Sequence, residues 1–187
     1  MSNTSPKGFY PMDRNEEGEF LFIVDSGNPT RMAVGDVVSA VAAGAVNVAA
    51  AADGTILVGS VVELLDSNKC PIGAWNSSVS TKYLPASTAG FALVALARPG
   101  RRFRCVTNTI ITAAAIFATT ALVATACDTT LSTSNHIINA NDLNTGSDFI
   151  ILGSENVPTN DITIANGRWI VAFNKGILQG TGKSTGV

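Results

Sequence analysis

Charge is the first thing this chain is short of. Only 14% of its 187 residues are Asp, Glu, Lys or Arg, against roughly 25% in ordinary soluble domains. Such a chain has little ionic surface, which suits a protein covered by neighbours in an assembly, or a monomer with a large core. The formal net charge is −2, so no overall field draws it to nucleic acid or to an anionic membrane, and neither is expected as a partner. Histidine is nearly missing too: His136 stands alone. One imidazole with dispersed carboxylates is not a metal-ligand set. Without a GxSxG elbow or a recognised Cys–His spacing it is not a nucleophile–base pair either, so His136 reads as a structural or surface residue. No catalytic residue, metal or cofactor is expected.

Cysteine is scarce. Cys70, Cys105 and Cys127 are odd in number, far apart and without a CxxC, which favours free, mostly buried thiols made in a reducing compartment over a disulfide framework or zinc site. The first eight residues lack the apolar core of a signal peptide and start like a mature cytosolic product. Residues 180–186 end like a phosphate-binding loop, Gly182-Lys183-Ser184, but the first glycine of that motif falls on Ile177, so the match fails. The tail 176–187 loses its apolar pattern and is expected to be mobile.

What is present is apolar and short-ranged. Residues 1–19 carry Pro6, Gly8, Pro11 and Gly18 and read as an extended N-terminal arm. Inside it, Phe9, Tyr10, Pro11 and Met12 form an apolar knot, which either tethers the arm to its own domain or docks on a neighbouring subunit. Glu16, Glu17 and Glu19 read as a solvated acidic cluster. Residues 19–24 and 56–65 are strands, the second with Gly59 as a bulge and a turn at residues 66–69. The Ala/Val/Gly run of residues 40–52 reads as irregular strand or loop.

The chain is organised around residues 75–106. Phe91-Ala-Leu-Val-Ala-Leu-Ala97 is uncharged and of the length of a strand buried on both faces. Arg98-Pro99-Gly100 turns the chain, and the next residues alternate, with Arg102, Arg104 and Val106 on one side and Arg101, Phe103, Cys105 and Thr107 on the other. The simplest reading is a hairpin of an inner and an outer strand with four arginines, Arg98, Arg101, Arg102 and Arg104, around its turn. They are either a solvated tip or ion-pair partners of an adjacent subunit.

No charged residue occurs between Cys105 and Cys127. Length and hydropathy alone permit a membrane span there. The alanine and threonine content, and the polar chain that resumes at Asp128, favour a short packed helix over residues 112–118 followed by extended chain. After Asp128, short apolar pieces at 136–138, 149–152, 162–164 and 169–173 have the spacing of an all-β sandwich or barrel. The expected fold is mainly β: a single sandwich-like or barrel-like domain over residues 20–175, with at most one or two short helices.

Four places resemble the capsid decoration, or cement, proteins of tailed bacteriophages. Ser5-Pro-Lys-Gly-Phe-Tyr-Pro-Met12 is similar to the family's Gly-aromatic-x-Pro start. Ala33-Val-Gly-Asp-Val-Val38 is similar to its Gly-Asp-hydrophobic-hydrophobic step. Lys82-Tyr-Leu-Pro-Ala-Ser87 with residues 91–106 resembles its Tyr-x-Pro-Ala-Ser core, and Trp169-Ile-Val-Ala-Phe-Asn174 its closing strand. The chain departs from the pattern at Arg98-Pro99-Gly100, where the family has acidic residues before the proline. The resemblance implies a non-enzymatic β-domain on the exterior of an icosahedral head, made in the bacterial host cytoplasm. Its partners would be the major capsid protein and further copies of itself, as a homotrimer. Phe9, Tyr10, Pro11, Met12 and the four arginines are the interface candidates. A module for host-surface glycans, with an aromatic platform at Trp75 and Tyr83, is the alternative.

Overall fold

A computed structural model describes residues 6–13, 18–51 and 56–176. In chain order its strands are β1 (Tyr10–Pro11), β2 (Glu19–Val24), β3 (Val37–Ala40), β4 (Val46–Val48), β5 (Leu57–Leu65), β6 (Gly90–Leu96), β7 (Phe103–Val106), β8 (Thr119–Thr120), β9 (Leu122–Val123), β10 (Ile137–Ile138), β11 (Phe149–Ser154) and β12 (Arg168–Phe173). The protein is mainly β. Its only helical pieces among the described residues are 3-10 turns at Ala42–Gly44, Ala113–Ala115 and Ala140–Asp142, one more short element than expected.

Strands β2-β4-β3-β5-β6 close into a small barrel, β1-β7-β12-β11-β8 form an antiparallel sheet, and β9 pairs with β10. Alternation explains how the two larger units share one molecule. Val38, Val58, Val94 and Leu96 point into the barrel with Met32, Val46 and Leu84. Their strand neighbours Val37, Leu57 and Ala95 point the other way, against Phe9, Phe103, Phe149, Trp169, Val171 and Phe173 of the sheet side. Strand β6 is uncharged for a physical reason: its barrel face is covered along its length and its other face is covered at Ala95, while Phe91 and Leu93 stay half-buried. Gly59 makes the β5–β6 contact feasible, since a Cβ there would lie 2.0 Å from the Ala95 carbonyl oxygen. It also sits where the β3–β5 register slips, as its reading as a bulge requires.

Three expectations need correcting. Residues 91–107 are not a hairpin: β6 pairs with β2 and β5, whereas β7 pairs with β1 and β12. The turn at residues 98–100 passes the chain from barrel to sheet, because β6 already has barrel neighbours on both sides. The short helix at 112–118 contracts to one 3-10 turn, Ala113–Ala115, before the chain extends into β8 and β9. No helix is long and apolar enough to cross a membrane among the described residues. Residues 162–164 form no strand; the Asp161 carboxylate accepts the Thr163 amide (2.9 Å) and hydroxyl (2.6 Å), an Asx turn that competes with extension.

Candidate functional site

The arm and the arginine cluster, read separately in the sequence, are partners of each other. Phe9 is fully buried, stacked on Phe149 with centroids 4.6 Å apart and tilted against Phe173. Its N–H donates to the Gly35 carbonyl at 2.8 Å, its carbonyl accepts the Ser60 hydroxyl, and the Gly8 N–H donates to the His136 carbonyl at 2.9 Å. Gly35, at φ +91°, allows this approach: a Cβ there would press on Gly8 Cα and the Tyr10 ring at 3.2 and 3.1 Å. Tyr10 and Pro11 then pair with Arg104 and Phe103 of β7, and the exposed Met12 donates its N–H to Arg102 O at 3.0 Å.

The arginines hold what the arm brings. Arg101 is buried; it donates to the Gly18 carbonyl at 2.8 Å, lies 3.6 Å from Glu19 and covers the Phe103 ring. Arg102 pairs with Asp13 at 3.1 Å. Arg104 stands between the Tyr10 ring and Glu155, which also binds Arg168 at 3.1 Å. Arg98 lies against Gly18. Of the interface candidates, Phe9 and Arg101 are buried within the chain itself. Tyr10, Pro11, Met12, Arg98, Arg102 and Arg104 keep exposed or half-exposed surface. Glu16, Glu17 and the tail 177–187, with its phosphate-loop near-match, lie outside the described residues.

Beside the arm, Tyr10, Pro11, Glu19, Val34, Val61, Val62, Glu63 and Leu93 line an open groove of about 440 Å³. Its lining mixes polar and apolar surface, and its two charges, Glu19 and Glu63, are acidic. Tyr83 lines a second depression of about 330 Å³ with Pro29, Thr30, Arg31, Pro85, Ala86 and Ala126. Trp75 is not part of that lining; it stands 98% exposed on the long β5–β6 connection.

That connection is built on Asp66. Its carboxylate accepts the amides of Asn68 (2.9 Å), Cys70 (2.9 Å) and Ser78 (2.6 Å) and the hydroxyls of Ser77 (3.3 Å) and Ser78 (2.8 Å). Hydrogen bonds, first from the Ser78 amide, hold its carboxyl well below the usual range. The sequence showed a turn here but not its reach of twelve residues.

His136 is fully buried and its partner is Asp36. Nδ1 accepts the Val37 N–H at 3.0 Å, which puts the imidazole proton on Nε2, 3.8 Å from Asp36 Oδ1. Burial raises Asp36 to about 7 and lowers His136 to about 3. Ser134 hydrogen-bonds Asp36 and accepts the His136 backbone N–H at 3.0 Å. The three residue types of a hydrolytic triad are thus neighbours, but in the wrong order: the serine serves the carboxylate, and the imidazole lone pair is taken by backbone. All three are buried beneath the arm. They tie β3 to the 134–136 segment. No group of His, Cys, Asp and Glu among the described residues has the grouping of a metal site. The cysteines are unpaired, Cys105 and Cys127 buried and Cys70 partly so.

One surface residue carried no sequence signal. Phe117 is 74% exposed, yet its backbone sits at φ +69° and its N–H donates to Ile151 O at 2.7 Å. A left-handed conformation is unfavourable for a bulky side chain, and here it aims the ring into solvent beside the exposed Ile116.

The chain matches no family model, no curated protein and no solved structure.

Proposed function

We propose that this chain is a non-enzymatic structural virion protein that decorates and stabilises the outer surface of an icosahedral phage head by bridging subunits of the major capsid protein. Phe117 is the observation that carries the reading. Backbone strain at a surface aromatic, held by a hydrogen bond and bringing little packing within the chain, suits a group kept for contact with another molecule. The four stretches that resemble decoration proteins support a capsid as that molecule. The low charge of the chain agrees, since it leaves a surface cheap to desolvate. The β-domain with its folded-back arm is then the bridging block, and Tyr10, Pro11, Met12, Arg98, Arg102 and Arg104 offer further exposed surface near the β1 edge, across the sheet from Phe117 beside β11.

The physics of such a role is mass action. A protein that binds the assembled shell and not its dissociated subunits stabilises the shell by the free energy of binding, and many modest contacts add over the lattice. The test is to image heads with and without the protein, then challenge them by heat or osmotic shock. Added density and later rupture are expected; heads that neither bind the protein nor gain resistance overturn the reading.

A second reading, a module for host-surface glycans, is favoured by Trp75, whose ring is bare enough to stack on a sugar. Tyr83, the other half of the expected platform, lines a different depression. Sugar binding on a glycan array that is lost in Trp75→Ala, without density on heads, selects this alternative.

A further inference from the structure

Strand β5 carries one residue too many for its partner. Val61 pairs with Val94 and Glu63 with Leu93, so the register slips at Val62. Without that slip Glu63 would face Ala92, whose side chain is fully buried in the barrel. With it, Val62 and Glu63 both turn outward, and Leu64 returns to the core opposite Ala92. A bulge re-aims side chains in this way, and such bulges collect beside functional sites. Here the re-aimed carboxylate enters the groove between the arm and the barrel.

The walls of this groove are built by the fold itself. The arm wall, Tyr10 and Pro11, is held by the Ser60 hydroxyl on the Phe9 carbonyl and by the ladder with β7. The Val34 wall is held by the Gly35 N–H on Val61 O at 2.8 Å and the Val61 N–H on Asp36 O at 2.9 Å. At about 440 Å³ the groove lies within the roughly 300–1,000 Å³ of pockets that take ligands. Its charge is unbalanced at one point. Arg101 lies 3.6 Å from Glu19, Arg104 lies 3.9 Å from Glu155, and Lys69 stands over the Phe91 ring. Glu63 has no ion-pair or hydrogen-bond partner among the described residues.

We propose that this groove docks an arginine side chain of a partner protein, with Glu63 accepting the guanidinium and Val34, Val62 and Leu93 covering its aliphatic stem. Charge and shape both favour that occupant. Arginine carries its charge at the end of an apolar stem, and its planar fork bonds a carboxylate in two places. It is less strongly hydrated than the ammonium of lysine, so it sheds water at lower cost on entering a groove. The surface beyond the groove suits apolar residues next to that arginine. Leu93 pairs with Leu21, which is 44% exposed, and Phe91 pairs with Ile23, which is 56% exposed. All four stand on the outer face of the barrel and continue the groove at its Leu93 end. The inference stands apart from the capsid reading, because the groove and its unmatched charge belong to the free chain.

The experiment titrates the purified full chain, without heads, with the blocked tripeptide acetyl-Leu-Arg-Leu-amide and follows the amide chemical shifts. Saturable shifts are expected at Val34, Val62, Glu63 and Leu93 with millimolar peptide. The same peptide with citrulline for arginine, alike in shape but uncharged, is expected to bind about tenfold more weakly, roughly 1.4 kcal/mol. Glu63→Gln is expected to bring the arginine peptide down to the level of the citrulline one. Its melting temperature is expected to stay that of the parent, since the Glu63 side chain is exposed. Shifts that never saturate or that map elsewhere, equal binding of the two peptides, or binding of the arginine peptide that is indifferent to Glu63→Gln overturns the proposal.

Discussion

Tyr10 and Arg104 face each other across the β1–β7 ladder, and the guanidinium carbon of Arg104 lies 5.4 Å from the centre of the Tyr10 ring. The pair fastens the arm from outside, where Phe9 fastens it from within. These two fastenings differ in strength. Phe9→Ala empties a fully buried aromatic site and is expected to lower the unfolding free energy by about 3–5 kcal/mol. Arg104→Ala removes a half-exposed cation–π contact, worth about 0.5–1 kcal/mol, and Arg102→Ala an exposed ion pair worth about 0–1 kcal/mol. Urea unfolding of the three variants checks the order; equal losses at Phe9 and Arg102 would remove the arm from the core.

The buried pair Asp36 and His136 is expected to make stability insensitive to pH over roughly pH 4–6.5. Asp36 titrates near 7 in the fold against 3.8 ordinarily, so its contribution is full below 3.8 and is lost as pH rises toward 7. His136 titrates near 3 against 6.5, so its contribution is full above 6.5 and is lost as pH falls toward 3. The two slopes have opposite signs and cancel where they overlap. Tyr10 and Cys127, which feel the Asp36 charge, are both raised by burial, Cys127 to about 11, and so titrate outside the window.

Each half of the pair is expected to show its own slope once the other is removed. His136→Asn leaves Asp36, so its urea midpoint falls from pH 4 to 7; Asp36→Asn leaves His136, so its midpoint rises from pH 3 to 6.5. Either slope approaches about 1.4 kcal/mol per pH unit for one proton. Slopes of the same sign in both variants would mean that the two groups do not oppose each other.

Asp66→Ala is expected to loosen the β5–β6 connection without unfolding the barrel. Amides of Asn68, Cys70 and Ser78 lose their acceptor and exchange faster, while those of β5 and β6 keep their protection. Because the Asp66 carboxyl is held low, this order persists above the ordinary carboxylate range and is lost as pH falls through the lowered value. Hydrogen exchange read residue by residue decides the matter; a uniform loss of protection would show that Asp66 supports the whole fold.

Phe117→Asn separates stability from contact. Asparagine tolerates a left-handed backbone and little packing is lost from a ring so exposed, so the melting temperature is expected to hold or rise. Occupancy on heads is expected to fall. A variant that binds heads as well as the parent would leave Phe117 without its assigned role.

The local pattern of the sequence carried most of the strands and little of their arrangement. Residues 19–24, 57–65, 149–152 and 169–173 announce themselves by apolar runs, because strand formation and burial act on the same few side chains. Residues 91–107 look like a hairpin because the turn chemistry of Pro99 and Gly100 is real, but partner choice is decided by β2, β5 and β12, dozens of residues away. The same limit hid the site. The arginines show their charge in the sequence, but their acids sit at Asp13, Glu19 and Glu155, and Asp36 finds His136 across a hundred positions. Phe117 gave no signal at all, since exposure of one aromatic in an apolar run depends on a single backbone angle.

Barrel and sheet share the residues that keep each of them dry. Val37, Leu57 and Ala95 belong to barrel strands yet form the floor beneath the aromatic side of the sheet. Neither half has a surface along which it could be peeled from the other intact, so calorimetry would record one endotherm.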